Sequence, residues 1–304
     1  MSWGPLLKDQ IVRVAPSDIA RAVQALHEHG FVILEGAVPP EPLALLRQRM
    51  DEDTEELLRY CDSIGGNPRA LGHLQQGPPP SPELVFADVV MNVAVNDVCR
   101  TLYGAEGAEG DSRPLLTFYN GNTNCPGSVV QHLHMDGKHY TEVGETVAPT
   151  ASVVVNIPPG PTRLGNGAIE LWPGSHRIRC VNDAGTGAGE AAGATIAALA
   201  TERRRAVAPV RPETEVGDVL IRDVRLWHRG VPNDSDRPRH MIALIVSKRF
   251  PGAPVQRLRF ERGCEAALEG HGVDANAEYV QGPIDYLIAP TRRIQERRLA
   301  SERR

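Results

Sequence analysis

His134, Met135 and Asp136 form a His-x-Asp triplet, and His228 follows Asp136 by 92 residues inside Trp-His-Arg-Gly. Arg239 comes eleven residues after His228, beyond a turn. Two imidazoles and one carboxylate on one side of a metal leave the opposite positions open, the facial arrangement that suits non-haem Fe(II). A nearby guanidinium adds a permanent cation able to grip a carboxylate through two parallel hydrogen bonds. The triplet alone carries little. With 10 His and 16 Asp in 304 residues, chance supplies roughly half a His-x-Asp, and a hydrogen-bonded pair on a strand would explain it equally well.

On a strand, alternate side chains share a face, so His134 and Asp136 point one way while Leu133 and Met135 pack behind them. His228 must arrive from a second strand. The run Gly217 to Ile221 leads toward Trp227-His228, Asn233-Asp234-Ser235-Asp236 reads as a turn, and Arg239 opens the next strand. A hairpin of these strands sets Arg239 beside His228 across the ladder. A dicarboxylate chelating the metal through its keto-acid end would then offer its far carboxylate to Arg239. A surface salt bridge is the plainer use of an arginine, but the position just past a ligand-grade histidine favours the site.

The remaining chain must position these groups. Helical spacing opens at Asp18 and ends at Gly30, Phe31 to Leu34 reads as a buried strand, and a second helix spans about residues 40 to 60 with Leu43, Leu46 and Met50 on one face. A Gly- and Pro-rich loop from Gly65 to Pro80 precedes a third helix, capped by Ser81 with Pro82 first, which should run to Tyr103. From Pro114 short apolar runs alternate with turns: Leu115 to Tyr119, Val129 to Met135, Ser152 to Ile157, Ala168 to Trp172, Asp218 to His228 and Arg239 to Ser247. That rhythm predicts an all-β barrel or sandwich. Asp183 to Arg205 interrupts it with an Ala/Gly-rich stretch and helical spacing over Ala191 to Thr201, read as a lid. Arg292 to Arg304 reads as a solvated terminal helix. The organisation expected is one domain over 1-304: a mainly helical part over 1-113, a β core over 114-250 holding the 183-205 insertion, and a C-terminal extension over 251-304.

Composition narrows the class. Apolar residues at 41% and charged residues at 23% supply a sizeable core and argue against disorder. A net charge of −5 offers no basic field for nucleic acid or anionic lipid. The apolar runs are too short to span a bilayer, and neither a secretory signal nor a peroxisomal address is seen. Five cysteines without Cys-x-x-Cys argue for reduced thiols rather than disulfides or a zinc site. A cytoplasmic enzyme of a small molecule, with no nucleic-acid or membrane partner, is expected; the oligomeric state is not legible.

These residues bring the chain to a family. Gly121-Asn122-Thr123, Pro126-Gly127-Ser128, Gln131-His132-Leu133-His134-Met135-Asp136, Val155-Asn156-Ile157-Pro158, Asn166-Gly167, Trp172-Pro173-Gly174-Ser175-His176, and His228 with Asn233, Ser235 and Arg239 resemble the phytanoyl-CoA dioxygenase-like Fe(II)/2-oxoglutarate oxygenases, in particular their natural-product branch. The resemblance covers about residues 17 to 250; the blocks are specific only in their joint order and spacing. It implies a double-stranded β-helix (jelly roll, cupin-like) with N-terminal helices on one side, Fe(II) on His134, Asp136 and His228, and 2-oxoglutarate and O2 as cosubstrates. It further implies that Arg239 holds the distal carboxylate and that Gln131 contacts the cosubstrate, which requires a bulge or strand end at Gln131 because alternation turns it away from His134. Ile169 stands where the family often has Thr, removing one cosubstrate hydrogen bond. His176 is expected to stabilise its turn rather than act as a fourth ligand.

Asp136 narrows the chemistry. Related halogenases carry a small residue there and bind halide instead, so halogenation is disfavoured. Oxidation of an unactivated C–H bond remains, with hydroxylation the default and desaturation, epoxidation or cyclisation set by substrate pose. Lys138 to Glu142, the Gly65 to Pro80 loop and the 183-205 insertion are expected to overhang the metal. Their aromatic, apolar and neutral polar groups suit a largely apolar small molecule of secondary metabolism, with His139, Tyr140, Gln76 and Trp172 as candidate substrate contacts. An acyl-CoA is the alternative within the family. Outside it stand a divalent-metal hydrolase, which would not need Arg239, and a non-catalytic jelly-roll binding protein.

Overall fold

The computed structural model describes residues 10–64, 72–105, 109, 113–137, 149–180, 195–250, 256–290 and 292. Strand β1 (Arg13–Val14) leads to helix α1 (Ile19–His29), which buries Ala22, Ala25, Leu26 and His29 along one stripe. Asp18 caps its start by accepting the Arg21 N–H, and Gly30 ends it at φ +82°. A Cβ on Gly30 would lie 2.5 Å from His176 Nδ1. Glycine is needed there both for the left-handed turn and for the close approach. β2 (Phe31–Leu34) follows, fully buried, and then α2 (Pro40–Ser63), with Leu43, Leu46 and Met50 inward as their spacing predicts.

The third helix differs from expectation. After β3 (His73–Gln75), Ser81 accepts turn hydrogen bonds from Leu84 and Val85, but regular helix is limited to α3 (Ala87–Val90) and α4 (Val93–Tyr103). Asn92 breaks the run. Its side chain accepts the Val95 N–H as a new N-cap and donates to the Ala37 carbonyl, so a tertiary tie overrides local propensity.

The strands are β4 (Leu115–Asn124), β5 (Ser152–Ile157), β6 (Glu170–Leu171), β7 (Val219–Asp223), β8 (His228–Arg229), β9 (Arg239–Ser247), β10 (Leu258–Glu261), β11 (Asp274–Ala275) and β12 (Ala277–Val280). The major sheet runs β1-β2-β7-β5-β9-β4-β11, with β3 beside β4. Its one face carries Val153, Val155, Ile221, Ile242 and Leu244 into the main core against α1, α2 and α4. The small β6-β8 sheet holds the metal-cluster histidine His228. The result is a jelly roll with helices on one side. The C-terminal part takes part in the sheet itself: β11 pairs with β4, and the Phe260 ring lies 4.9 Å from that of Tyr119.

Two strand expectations need correction. Val129 to Met135 is not a ladder strand; among its residues only His134 forms a bridge, to His228. Its partner β8 is two residues long and is followed by Gly230 and Pro232, which end regular pairing. Asp218 to His228 is likewise not continuous, because the chain turns between Asp223 and Leu226. In the insertion, the described helix α5 (Ile196–Ala206) starts later than the spacing predicts, capped by Thr195. Ile196 is fully buried with Met135, Trp172 and Trp227, and Arg203 donates to the Pro173 carbonyl. Residues 183–194 and the 293–304 stretch lie outside the described residues.

Candidate metal centre and carboxylate pocket

His134 and His228 oppose each other through one antiparallel bridge, His134 N donating to the His228 carbonyl at 3.0 Å and the reverse at 2.9 Å. Directly opposed residues project to one face, and the two rings lie with centroids 4.3 Å apart. The Asp136 and Gly137 N–H groups both donate to the Val224 carbonyl at 2.8 Å. That anchor brings Asp136 Oδ1 within 3.8 Å of His134 Nε2 and Oδ2 within 3.5 Å of His228 Nε2. Among the described residues, this is the group of His, Cys, Asp or Glu side chains whose ligating atoms, all within 4.8 Å of one another, could hold an ion.

The protonation pattern suits a metal. His134 Nδ1 lies 2.8 Å from the His132 carbonyl and His228 Nδ1 lies 2.9 Å from that of Leu226. A carbonyl only accepts, so both Nδ1 atoms carry a proton, the tautomer that turns Nε2 toward Asp136 as the ligating nitrogen. Burial, then the Arg222 charge, pulls the His228 imidazole down to about 3, keeping it neutral at physiological pH. Burial opposes ionisation of Asp136, but the charge and hydrogen bond of Arg222, with the neighbouring imidazoles, hold it well below the usual carboxylate range.

The turn from β7 to β8 aims His228. Asp223, with no exposed surface, accepts the Arg225 backbone N–H at 2.8 Å and both ends of its guanidinium, and Thr150 donates to it at 2.7 Å. Ser175 of Pro-Gly-Ser-His accepts the Trp227 N–H at 2.8 Å, next to the ligand, while His176 Nε2 sits 3.3 Å from the His27 carbonyl of α1. This motif is therefore scaffold: Ser175 braces His228 and His176 ties the turn to a helix. His176 is outside the cluster, as expected.

Arg222 is the functional residue that the sequence reading missed. It lies on β7, 5% exposed, with Nη2 donating to Asp136 Oδ2 at 2.7 Å and Nε to Asn156 Oδ1 at 3.1 Å. A signal existed: an arginine inside Val219-Leu220-Ile221-Arg222-Asp223 cannot be buried without a partner. What sequence could not supply was the identity of that partner.

Arg239 differs from expectation in how it is held. His228 and Arg239 are not hairpin neighbours. β8 pairs with β6, whereas Arg239 opens β9 and pairs with Asn124 of β4. The turn between them is closed by Asn233, whose side chain bonds Asn124, Ser235 and Arg237. Arg239 is 7% exposed; its Nη2 donates to the Gly167 carbonyl at 3.0 Å and its Nε has no partner among the described residues. Gly167 is held at φ +83°, and a Cβ there would lie 2.2 Å from Asn124 Nδ2, so glycine alone fits. Burial pulls Arg239 down to about 10, still charged at neutral pH. Among the described residues no carboxylate pairs with it. A buried, charged guanidinium with an orphaned N–H fits a carboxylate ligand, and two Nε2 atoms with a carboxylate fit Fe(II).

The other anticipated residues fall in different places. Gln131 lies off any regular strand, so alternation does not govern it; its side-chain Oε1 accepts the Gly230 N–H at 2.8 Å, two residues past His228. Gln76 is 1% exposed and bonded to Met50, Thr54 and Thr123, which leaves it no face for substrate. Trp172 is buried against Trp227 and gives its indole N–H to Glu170, a packing role instead of a substrate contact. Ile169 packs beside Phe31 and Leu171. His139 and Tyr140 lie outside the described residues.

Register defines the wall between the two arginines. Val154 opposes both Arg222 and Ile245, Asn156 opposes Ala243, and Phe118 opposes Ile245. With alternation along β9, Met241, Ala243 and Ile245 therefore share the face of Arg239 and Arg222. Asn120 and Asn122 add neutral amides. The wall mixes apolar side chains with neutral amides.

A protein-family model described as phytanoyl-CoA dioxygenase (PhyH) matches residues 26–241. The crystal structure of AviO1 from Streptomyces viridochromogenes Tue57 shares 18% identity at a TM-score of 0.51, covering 80% of this chain and 100% of that one, a likeness of fold. The non-heme alpha ketoglutarate dependent carbocyclase SnoK from nogalamycin biosynthesis aligns at 16% identity and a TM-score of 0.49, over 78% of this chain and 87% of SnoK. The chain belongs to the phytanoyl-CoA dioxygenase family and is a non-haem iron, 2-oxoglutarate-dependent dioxygenase using Fe(II), 2-oxoglutarate and O2.

Proposed function

We propose that the protein oxidises an unactivated C–H bond of a small, largely apolar molecule of secondary metabolism, with hydroxylation as the default outcome. His134, Asp136 and His228 would hold Fe(II), and Arg239 would hold the distal carboxylate of 2-oxoglutarate. Gln131, tied to Gly230, would flank the cosubstrate. The observation that carries this reading is the pairing of a two-histidine, one-carboxylate cluster with a buried arginine that has no carboxylate partner among the described residues. When bound, the iron with its cosubstrates supplies the oxidising chemistry, in which 2-oxoglutarate leaves as succinate and CO2 and the substrate C–H bond is oxidised.

The chain's own part is orientation and exclusion of water. The His132 and Leu226 carbonyls keep both Nε2 atoms aimed at the ion. Asp136 fills the position that a halide would need. Apolar Val154, Ala243 and Ile245 support an apolar substrate beside the metal and a dry wall there.

Anaerobic titration with Fe(II) and 2-oxoglutarate should produce a weak visible metal-to-ligand band. No band with tight zinc binding would favour a hydrolase; no metal binding at all would leave a binding protein. A metabolite-pool assay for 2-oxoglutarate-dependent mass gain then identifies the substrate class, and selective oxidation of acyl-CoAs would overturn the apolar small-molecule part.

A further inference from the structure

Asp136 is the least supported of the three cluster residues. It lies past the end of the single His134 bridge, and among the described residues its backbone N–H is held by Val224. Arg222 is the opposite. It sits on β7, hydrogen-bonded between β2 and β5 in the major sheet, opposite Phe31 on one side and Val154 on the other. Its side chain is anchored before it reaches Asp136, because Asn156 Oδ1 receives Nε at 3.1 Å. Nη1 lies 3.4 Å from His228 Nδ1. Nδ1 already donates to the Leu226 carbonyl and Nη1 is itself a donor, so the fork packs along the ring edge and its directed bond goes to Asp136 Oδ2.

We infer that Arg222 is a positioning residue that makes Asp136 a one-oxygen ligand, occupying Oδ2 and leaving Oδ1 for the ion. This rests on the metal reading given above. An unrestrained carboxylate can turn and offer both oxygens to one ion. In a facial site that would fill a position needed by the bidentate cosubstrate or by oxygen. By holding Oδ2 from a rigid strand, Arg222 keeps the protein's share at three ligands and the opposite face open. Asn156 belongs to the same device although it touches no ligand, since it sets the angle of the guanidinium. The wiring joins a ligand on a weakly paired segment to two adjacent strands of the major sheet.

The test uses full-length protein and Co(II), whose visible absorption reports coordination without turnover. Asn156→Ala keeps the Arg222 charge and removes its anchor; Arg222→Lys keeps a charge and removes the fork. Both should bind Co(II) at least about tenfold more weakly than the parent, the range typical of groups that orient metal ligands, and both should change the shape of its absorption bands. Folding is checked by circular dichroism, and if Asn156→Ala does not fold, Arg222→Lys decides alone. Parent-like affinity and parent-like bands in the folded variants would overturn the inference. A folded parent that takes up no Co(II) would instead overturn the metal reading, which separates the two failures.

Discussion

Arg222 and Arg239 are buried to nearly the same degree, 5% and 7% exposed, on two strands of one sheet, but they are partnered in opposite ways. Arg222 meets a carboxylate, a side-chain amide and the edge of an imidazole. Arg239 has the Gly167 carbonyl and an N–H with no partner among the described residues. Burying a guanidinium is costly unless its charge is compensated. The first arginine is compensated within the chain and so acts on the protein's own geometry. On the proposed reading, the second would be compensated by the carboxylate it binds. Two residues of one type, separated by a few strand spacings, would thus divide into a positioner and a receptor according to their partners.

The largest effect belongs to Asp136→Ala, which removes a proposed ligand and the only carboxylate paired with Arg222 among the described residues. Coupled formation of succinate and product should be abolished, and undiminished product would remove Asp136 from the ligand set. Arg239→Ala should raise the KM for 2-oxoglutarate by roughly ten- to a hundredfold, as expected for loss of charge-assisted bonds of about 1.5–3 kcal/mol. The KM for substrate should change far less; an equal loss for both would assign Arg239 another role.

Stability sharpens the contrast without turnover. In protein free of metal and cosubstrate, Arg222→Met should cost about 1–3 kcal/mol, discounted from a fully buried pair because Asp136 is partly exposed. Arg239→Met should be neutral or slightly stabilising, because no carboxylate is left behind. Urea denaturation measures both, and matching losses would erase the distinction.

The smallest effect lies in the scaffold. Burial pulls His176 down from 6.5 to about 4. The unfolded chain therefore binds the extra proton more readily, so this residue's contribution to stability is intact above pH 6.5 and declines as pH falls toward 4. His176→Gln should flatten that part of the pH–stability profile, and an unchanged slope would show that His176 does not supply it.

Much of the site was legible because its chemistry rests on residue types that are rarely interchangeable. His134, Asp136 and His228 could be selected by spacing and order, and Arg239 by its place beyond the turn. The helices α1 and α2 were legible from apolar periodicity, as were strands β5 and β9, whose two-sided burial makes continuous apolar runs. The route linking the site residues was not. A hairpin between His228 and Arg239 satisfies local turn chemistry as well as the observed crossing does, and only nonlocal pairing with β4 and β6 decides between them. Val129 to Met135 has strand-like composition but a partner too short to pair with it. Gln76 had the makings of a polar contact, yet long-range packing enclosed it among Met50, Thr54 and Thr123.

From residue types and order alone came the kind of chemistry: two imidazoles, one carboxylate and one cation in an order that matches an iron and keto-acid oxygenase, with Asp136 disfavouring the halide variant. The folded chain, in contrast, settles which buried arginine has a carboxylate partner among the described residues. That choice depends on which carboxylate lies within hydrogen-bond reach of each guanidinium. Asp136 comes from 86 residues before Arg222 in the chain, and the two meet only when the sheet and the His134 segment have closed around the same cleft.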